Sequence, residues 1–135
     1  MGSETQSAPV SKGLLWTGRV ISAVPVVMLL MSGIMKLAAP PEMVKAFTEQ
    51  FGYPESTLLA IAVVELACVV VYVIPQTAVL GAILLTGYLG GATATHVRIS
   101  DWFIGPVAFG VLVWLGLLLR ERRLWSLLPL RRGLA

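Results

Sequence analysis

The residue with the clearest chemical meaning is a lone glutamate, Glu65, in the middle of the apolar stretch AIAVVELACVV. A carboxylate in a membrane helix costs about 2.5–3.5 kcal/mol unless it is paired or protonated. Glu65 therefore either binds a ligand or handles a proton, or it holds two helices together through a hydrogen bond. Counting helical residues places Thr86 and Tyr88 at the same depth, so we expect Glu65 to be protonated or hydrogen-bonded there.

A polar row on a later apolar segment leads to the only histidine of the chain. Thr86, Thr93 and His96 share one helix face, and Arg98 follows. His96 is either a ligand-binding or proton-handling group, or an interfacial histidine satisfied by a carbonyl or by water. With one histidine and one cysteine, Cys68, the sequence predicts no metal site and no disulfide within the chain.

The first apolar run carries polar residues on one broad face, namely Arg19, Ser22, Ser32 and Lys36. We expect this face to point toward the other helices because unpaired charges are costly in lipid, although Arg19 and Lys36 lie near the ends and can also snorkel to the surface. By depth, neither is an obvious direct partner of Glu65 unless a helix tilts or a water molecule bridges the two groups. Lys36 and Arg98 would guide polar groups at the outer mouth of a site.

The composition is that of a membrane protein. The 135 residues are 57% hydrophobic and 13% charged, with a mean hydropathy of +0.86, whereas soluble domains carry about 25% charge. The basic pI of about 9.4 does not indicate a nucleic-acid partner, because the basic residues flank apolar runs.

The apolar runs predict an all-α, integral membrane four-helix bundle, residues 13–125, because each run has close to the ~20 residues that cross a bilayer. The predicted helices are 14–37, 56–74, 77–97 and 102–119. A disordered tail, 1–12, and a basic tail, 126–135, flank the bundle. The first run is long and interrupted by charge, so it is expected to stay as a helix rather than be cleaved as a signal peptide.

The distribution of basic residues predicts the orientation. Seven of the ten lie on one side, so both termini are expected in the cytoplasm and the chain in the inner membrane. The seven are Lys12, Arg19, Arg120, Arg122, Arg123, Arg131 and Arg132, and the other three are Lys36, Lys45 and Arg98.

Two segments have a predicted structural role. The stretch GYLGGATATHVR has neither the lysine nor the preceding strand of a phosphate loop. Its small residues are instead expected to pack the third helix against its neighbours, namely Gly87, Gly90, Gly91 and Ala94. The alternative is that Gly87 and Gly91 join two chains. In the loop between the first two helices, Val44, Phe47 and Phe51 predict an amphipathic helix on the outer surface.

The sequence resembles the DoxX-like membrane proteins over about residues 14–125. The resemblance lies in MSGIMKL, in GYP, in a polar residue within the second helix, and in LLTGYLGGATATHVR. It implies a compact four-helix membrane bundle and a loose association with quinone-linked redox chemistry, since the name comes from a subunit of a thiosulfate:quinone oxidoreductase. Distant relatives bind sterol-like ligands or assist the assembly of membrane proteins. Some relatives carry a basic residue near Glu65, so no role is transferred to it.

Three functions follow as hypotheses. The first is a component of a membrane redox system that binds a lipophilic molecule such as a quinone within the bundle, next to a redox partner subunit, with Glu65 and His96 handling protons. The second is a non-catalytic scaffold or assembly factor, and the third an oligomeric small-solute transporter. No recognisable cofactor motif is present. The expected partners are the lipid bilayer and a second copy bound through the third helix.

Overall fold

A computed structural model describes residues 9–128, which form helices and no strand. The all-α fold class is therefore confirmed for this part of the chain. Residues 1–8 of the predicted N-terminal tail and residues 129–135 of the predicted C-terminal tail, with Arg131 and Arg132, lie outside the described residues. The helices are α1 (Lys12–Ala38), α2 (Pro41–Lys45), α3 (Ser56–Val73), α4 (Ala78–Arg98), α5 (Ile104–Arg120) and α6 (Arg123–Leu127).

Three of these helices are long and apolar enough to cross a membrane. They are α1 with 27 residues, α3 with 18, and α4 together with the turn before it, 24 residues over Pro75–Arg98. The fourth long helix, α5, is apolar and has 17 residues. Large apolar side chains such as Val63 on α3 and Val111 on α5 are exposed on the outside of the helices, as expected of a surface that faces lipid.

The four long helices pack in a ring. Helices α1 and α4 each lie between α3 and α5 as their main neighbours. The residues at the centre are mostly apolar and buried, and they come from all four helices: Leu29, Val69, Tyr72, Ala82, Leu85, Leu89, Val113 and Leu117. The short helix α6 folds back against this core through Leu124.

Helices α1 and α5 approach closely where Gly18 faces Gly116. A Cβ atom at Gly18 would lie 2.7 Å from the carbonyl oxygen of Gly116, and a Cβ at Gly116 would collide with the hydroxyl group of Ser22. Small residues at Gly18 and Ser22, one turn apart, let the two backbones meet, which is the usual basis of helix association in lipid.

The predicted packing role of the α4 glycines is wrong within one chain. A Cβ atom at Gly87, Gly90 or Gly91 would meet no atom within 4 Å, and Ala94 is exposed. Helix α4 instead faces its neighbours with larger residues such as Leu85 and Leu89. The small residues do recur with the spacing of a helix face, but that face points outward. Association of two chains through it stays a prediction.

The connections differ greatly in length. Between α3 and α4 the chain makes a single 3₁₀ turn, Pro75–Thr77. The start of α4 then packs closely on the end of α3, since a Cβ atom at Gly81 would collide with the backbone of Tyr72. Between α1 and α3 it forms α2 and a π-helical turn, Ala46–Gln50, in which Phe47 is buried. This segment is hereafter called the loop helix, residues 41–50.

We call the end where α1 begins and α5 ends the terminal end, and the opposite end, which carries the loop helix, the loop end. Because consecutive long helices alternate in direction, α1 and α4 run toward the loop end, and α3 and α5 run away from it. The predicted site residues are distributed over both ends and over the outside of α4.

Candidate functional site

Glu65 forms a direct ion pair with Lys36. The Lys36 Nζ atom donates to Glu65 Oε2 at 2.8 Å and also to the hydroxyl group of Ser32 at 2.5 Å. The Glu65 side chain is 1% exposed and that of Lys36 is 14% exposed. The structure therefore brings together two of the candidates that the sequence singled out, and it gives Glu65 a partner that was not obvious from depth counting.

Lys36 was not an obvious partner of Glu65 from the sequence because depth counting compares only the heights of the backbones. Side chains on a helix lean toward its N-terminus. Lys36, on α1, therefore leans away from the loop end, whereas Glu65, on the antiparallel α3, leans toward it. The two side chains point at each other and together span the difference in depth.

Two further polar groups adjoin this pair. Tyr88 on α4 and Cys68 on α3 lie close enough to Glu65 to interact with its carboxylate electrostatically. Tyr88 was expected at this depth, whereas Thr86 points elsewhere. The site thus contains a carboxylate that accepts from an ammonium group, which joins α1 to α3, and the phenol of α4 lies nearby.

A groove of about 580 Å³ runs between α4 and α5 on the outside of the ring. Its walls are mainly apolar, and the polar atoms come from three side chains, Thr86, Thr93 and Trp114. The floor contains Gly90 and Gly110, where the absence of side chains leaves space. The other lining residues are Leu89, Pro106, Val107, Val111, Leu115 and Leu118.

The polar side chains of the groove are held in place by hydrogen bonds. Trp114 Nε1 donates to Thr86 Oγ1 at 2.8 Å, and Thr86 Oγ1 donates to the carbonyl oxygen of Ala82 at 2.7 Å. Thr93 Oγ1 donates to the carbonyl oxygen of Leu89 at 2.7 Å. Each hydroxyl oxygen keeps at least one lone pair that can accept a further hydrogen bond. Trp114 was not predicted, although an indole in an apolar run needs such a hydrogen-bond partner.

His96 belongs to a separate cluster at the loop end. His96 Nδ1 lies 3.0 Å from Asp101 Oδ2, and the ring of Phe51 meets the imidazole edge-on at 5.3 Å between centroids. Asp101 is the partner that the sequence analysis missed, although it follows His96 by five residues in a short turn. The imidazole is therefore occupied by a carboxylate from its own chain.

Arg98 and Tyr53 attach the loop helix to the end of α4. The Arg98 guanidinium donates to the carbonyl oxygen of Phe51 and lies 5.4 Å from the centre of the Tyr53 ring. The Tyr53 hydroxyl group lies 2.8 Å from Thr95 Oγ1, and its ring packs on Phe47 at 5.3 Å. Arg98 thus has a structural role here, and the guiding role that the sequence suggested stays a prediction.

Arg19 does not point into the ring of helices. It is exposed, and its guanidinium lies 5.2 Å from the ring of Trp16 on the same helix. Of the two alternatives that the sequence left open for Arg19, the structure shows the surface position, because Arg19 lies near the helix start and can reach the surface. Ser22 and Lys36 of the polar face of α1 do point inward.

Comparison with known protein families decides the identity of the chain. The family model described as the DoxX-like family matches residues 20–118. The chain belongs to the DoxX-like family. The matched residues of this DoxX-like protein include the Lys36–Glu65 pair, the whole α4/α5 groove and the His96–Asp101 pair. No curated protein and no solved structure matches the chain.

Asp101 is expected to make the stability of this DoxX-like protein depend on pH. The backbone N–H group of Trp102 and the His96 side chain hold the pKa of Asp101 below its ordinary value of 3.8. A carboxyl group whose pKa is lower in the folded protein stabilises the fold at every pH above its ordinary pKa. This stabilisation is lost as the pH falls through the pKa of the folded protein. We therefore expect Asp101→Asn to lower the melting temperature at neutral pH and to have no effect in strong acid.

Thermal unfolding of both proteins across this range measures the effect. The control is Glu49→Gln, which removes an exposed carboxylate from the loop helix and should leave the difference from wild type independent of pH. An Asp101→Asn effect that persists unchanged well below pH 3.8 would show that the side chain acts through shape and not through charge.

Proposed function

We propose that this DoxX-like protein is a four-helix bundle that crosses the inner membrane four times, with both termini in the cytoplasm, and that it binds a lipophilic molecule of the quinone class. The 17 residues of α5 lie at the lower limit of the ~17–25 residues that span a bilayer. The excess of basic residues at the terminal end supports the orientation. The loop helix would then lie at the outer surface.

The α4/α5 groove is the observation that carries the binding proposal. Its apolar walls suit the prenyl chain of a quinone, and its few fixed polar atoms suit the quinone head group. This combination is typical of small-molecule sites. Two of the lining residues, Val111 and Leu115, are exposed on the outer surface of the helices. A molecule dissolved in the bilayer would therefore reach the groove directly. Trp114 offers an aromatic face on which the head group of a quinone could stack.

Glu65 and His96 already have charged partners within the chain, which favours the groove over these two residues as the ligand site. Glu65 is already paired with Lys36, and His96 with Asp101. We therefore assign Thr86, Thr93 and Trp114 as the contacts to the ligand. Electron transfer to or from a bound quinone would require a redox partner subunit, because the chain has no recognisable cofactor motif of its own.

Filling the groove should abolish binding. Gly90→Leu places a side chain on the groove floor, where a Cβ atom meets nothing within 4 Å, so the helix can accept it without moving its neighbours. We expect the variant to fold normally and to lose a co-purifying quinone or other prenyl lipid. Mass spectrometry of the organic extract of gently purified protein measures the amount per chain.

The matched control is Gly87→Leu. Gly87 lies on the same helix and also has open space around its Cβ position, but it does not line the groove. It should retain the ligand at the wild-type level. Equal retention in both variants would exclude the groove, and only bulk phospholipid in the wild-type extract would argue against the ligand-binding function altogether.

A scaffold or assembly role is the second candidate, and one observation favours it. Gly87, Gly91 and Ala94 form an exposed row of small residues on α4, a surface that suits a closely packed second helix in lipid. The partner would be a second copy of the chain or another subunit. Cross-linking through cysteines introduced at Gly87 and Gly91 tests contact between copies.

A further inference from the structure

Arg120, the last residue of α5, has a buried hydrogen-bond donor without an acceptor. Its Nε atom is inaccessible to solvent and has no hydrogen-bond partner among residues 9–128. Buried polar groups in native structures are nearly always hydrogen-bonded, so an exception requires an explanation, and a bound ion or water is one. An acceptor from outside the described chain would satisfy this donor.

The surroundings hold the Arg120 side chain in a fixed position. Its guanidinium lies 5.2 Å from the centre of the Tyr72 ring. The Tyr72 hydroxyl group donates to the carbonyl oxygen of Val113 at 2.8 Å and lies 2.8 Å from Ser22 Oγ. Since α1, α3 and α5 together fix the tyrosine, the guanidinium rests on a rigid surface and requires little ordering when a ligand binds.

The charge balance around Arg120 favours an anion. The ion pairs within the described residues are Lys36–Glu65 and His96–Asp101, and both lie away from the terminal end. Glu121 is the next residue, and its carboxylate lies 3.4 Å from the backbone nitrogen of Arg123. Arg19, Arg122 and Arg123 are exposed at the same end, so the local field is positive.

We propose that Arg120 is the centre of a binding site for a phosphate-bearing anion at the terminal end, between the start of α1 and the end of α3. The planar guanidinium presents a fork of donors that matches phosphate oxygens. The phosphate of an anionic phospholipid is one source, because this end lies at the membrane surface. A free phosphate ion has the same chemistry, and the experiment separates the two.

The experiment compares Arg120→Gln with Arg122→Gln in detergent-purified full-length protein. Native mass spectrometry counts adducts of phosphatidylglycerol and of phosphatidylcholine, and thermal unfolding is followed with each lipid and with inorganic phosphate alone. We expect wild type to prefer phosphatidylglycerol, and Arg120→Gln to bind it about tenfold more weakly because one charged hydrogen-bonding group is lost. Arg122→Gln should change binding by less than about twofold, as is usual for exposed positions.

The outcomes are distinct. Stabilisation by inorganic phosphate alone, lost in Arg120→Gln, would support the site and assign it to a soluble anion. The same loss with phosphatidylglycerol alone would assign it to a lipid headgroup. Equal effects of the two substitutions would overturn the proposal. So would a wild-type protein that is indifferent to both anions, and this result requires no variant to fold. Retention of quinone in the groove is independent of all these results.

Discussion

Lys36→Met lowers the free energy of unfolding by about 3 kcal/mol, because it leaves the Glu65 carboxylate without its cation inside the ring of helices. Glu65 is 1% exposed, so water cannot replace the lost partner, and the carboxylate must take up a proton or remain charged at high cost. Methionine is unbranched and similar in size to lysine, so little of the effect comes from packing.

The reverse variant, Glu65→Gln, is expected to cost less, about 1–2 kcal/mol. Lys36 lies near the end of α1 and is 14% exposed, so its ammonium group can turn toward the surface. The amide oxygen introduced by Glu65→Gln would also keep an acceptor for Lys36 and for Tyr88. The double variant Lys36→Met with Glu65→Gln should recover most of the loss, because neither unpaired charge remains.

Denaturant unfolding of the four proteins gives the coupling energy between the two positions. Lys45→Met is the control, since Lys45 is an exposed lysine of the loop helix and should change stability by less than about 0.5 kcal/mol. If the losses of the two single variants simply add in the double variant, the ion pair contributes nothing, and each side chain acts on its own.

Gly116→Ala is expected to destabilise the protein by about 1–3 kcal/mol, the usual cost of overfilling a packed contact. The new methyl group would collide with the Ser22 hydroxyl group and lie 2.9 Å from the carbonyl oxygen of Gly18. Helices α1 and α5 must therefore separate, and the hydrogen bond between Ser22 and Tyr72 is strained as they do so.

The matched control for this substitution should change stability in the opposite direction. Gly87→Ala makes the same chemical change within α4, where a Cβ atom meets nothing within 4 Å. It should stabilise the protein by up to about 1 kcal/mol through the higher helix propensity of alanine. Thermal unfolding of both variants measures the difference, and destabilisation by both would show that α4 packs against something beyond the single chain.

The long helices were predictable from sequence because length and hydropathy alone determine which segments can cross a bilayer. The contacts between them were less predictable. Glycines occur on α1, α4 and α5, and in lipid no difference in polarity marks which face of a helix meets protein. Gly18 and Gly116 are at the close contact, whereas Gly87 and Gly91 face outward, although all four look alike in the sequence.

The candidate site was predictable in its residue types but not in its pairs. A buried charge requires a partner, which correctly drew attention to Glu65 and Lys36. The choice of partner depends on the direction of each side chain, which a count of residues does not contain. Asp101 and Trp114 were missed because each becomes informative only when the turn after α4 and the packing of α5 are known.

The groove between α4 and α5 lies on the side of the ring of helices, and this determines how the affinity of the proposed ligand should be expressed. With α4 and α5 spanning the bilayer as we propose, the ligand would arrive by lateral diffusion, and its occupancy would depend on its mole fraction among the surrounding lipids and not on its aqueous concentration. Acyl chains compete for the same apolar walls at all times. Detergent molecules compete for the walls as well. In a titration in micelles the ligand is also diluted into the detergent phase, so the measured affinity would be too low by that dilution factor.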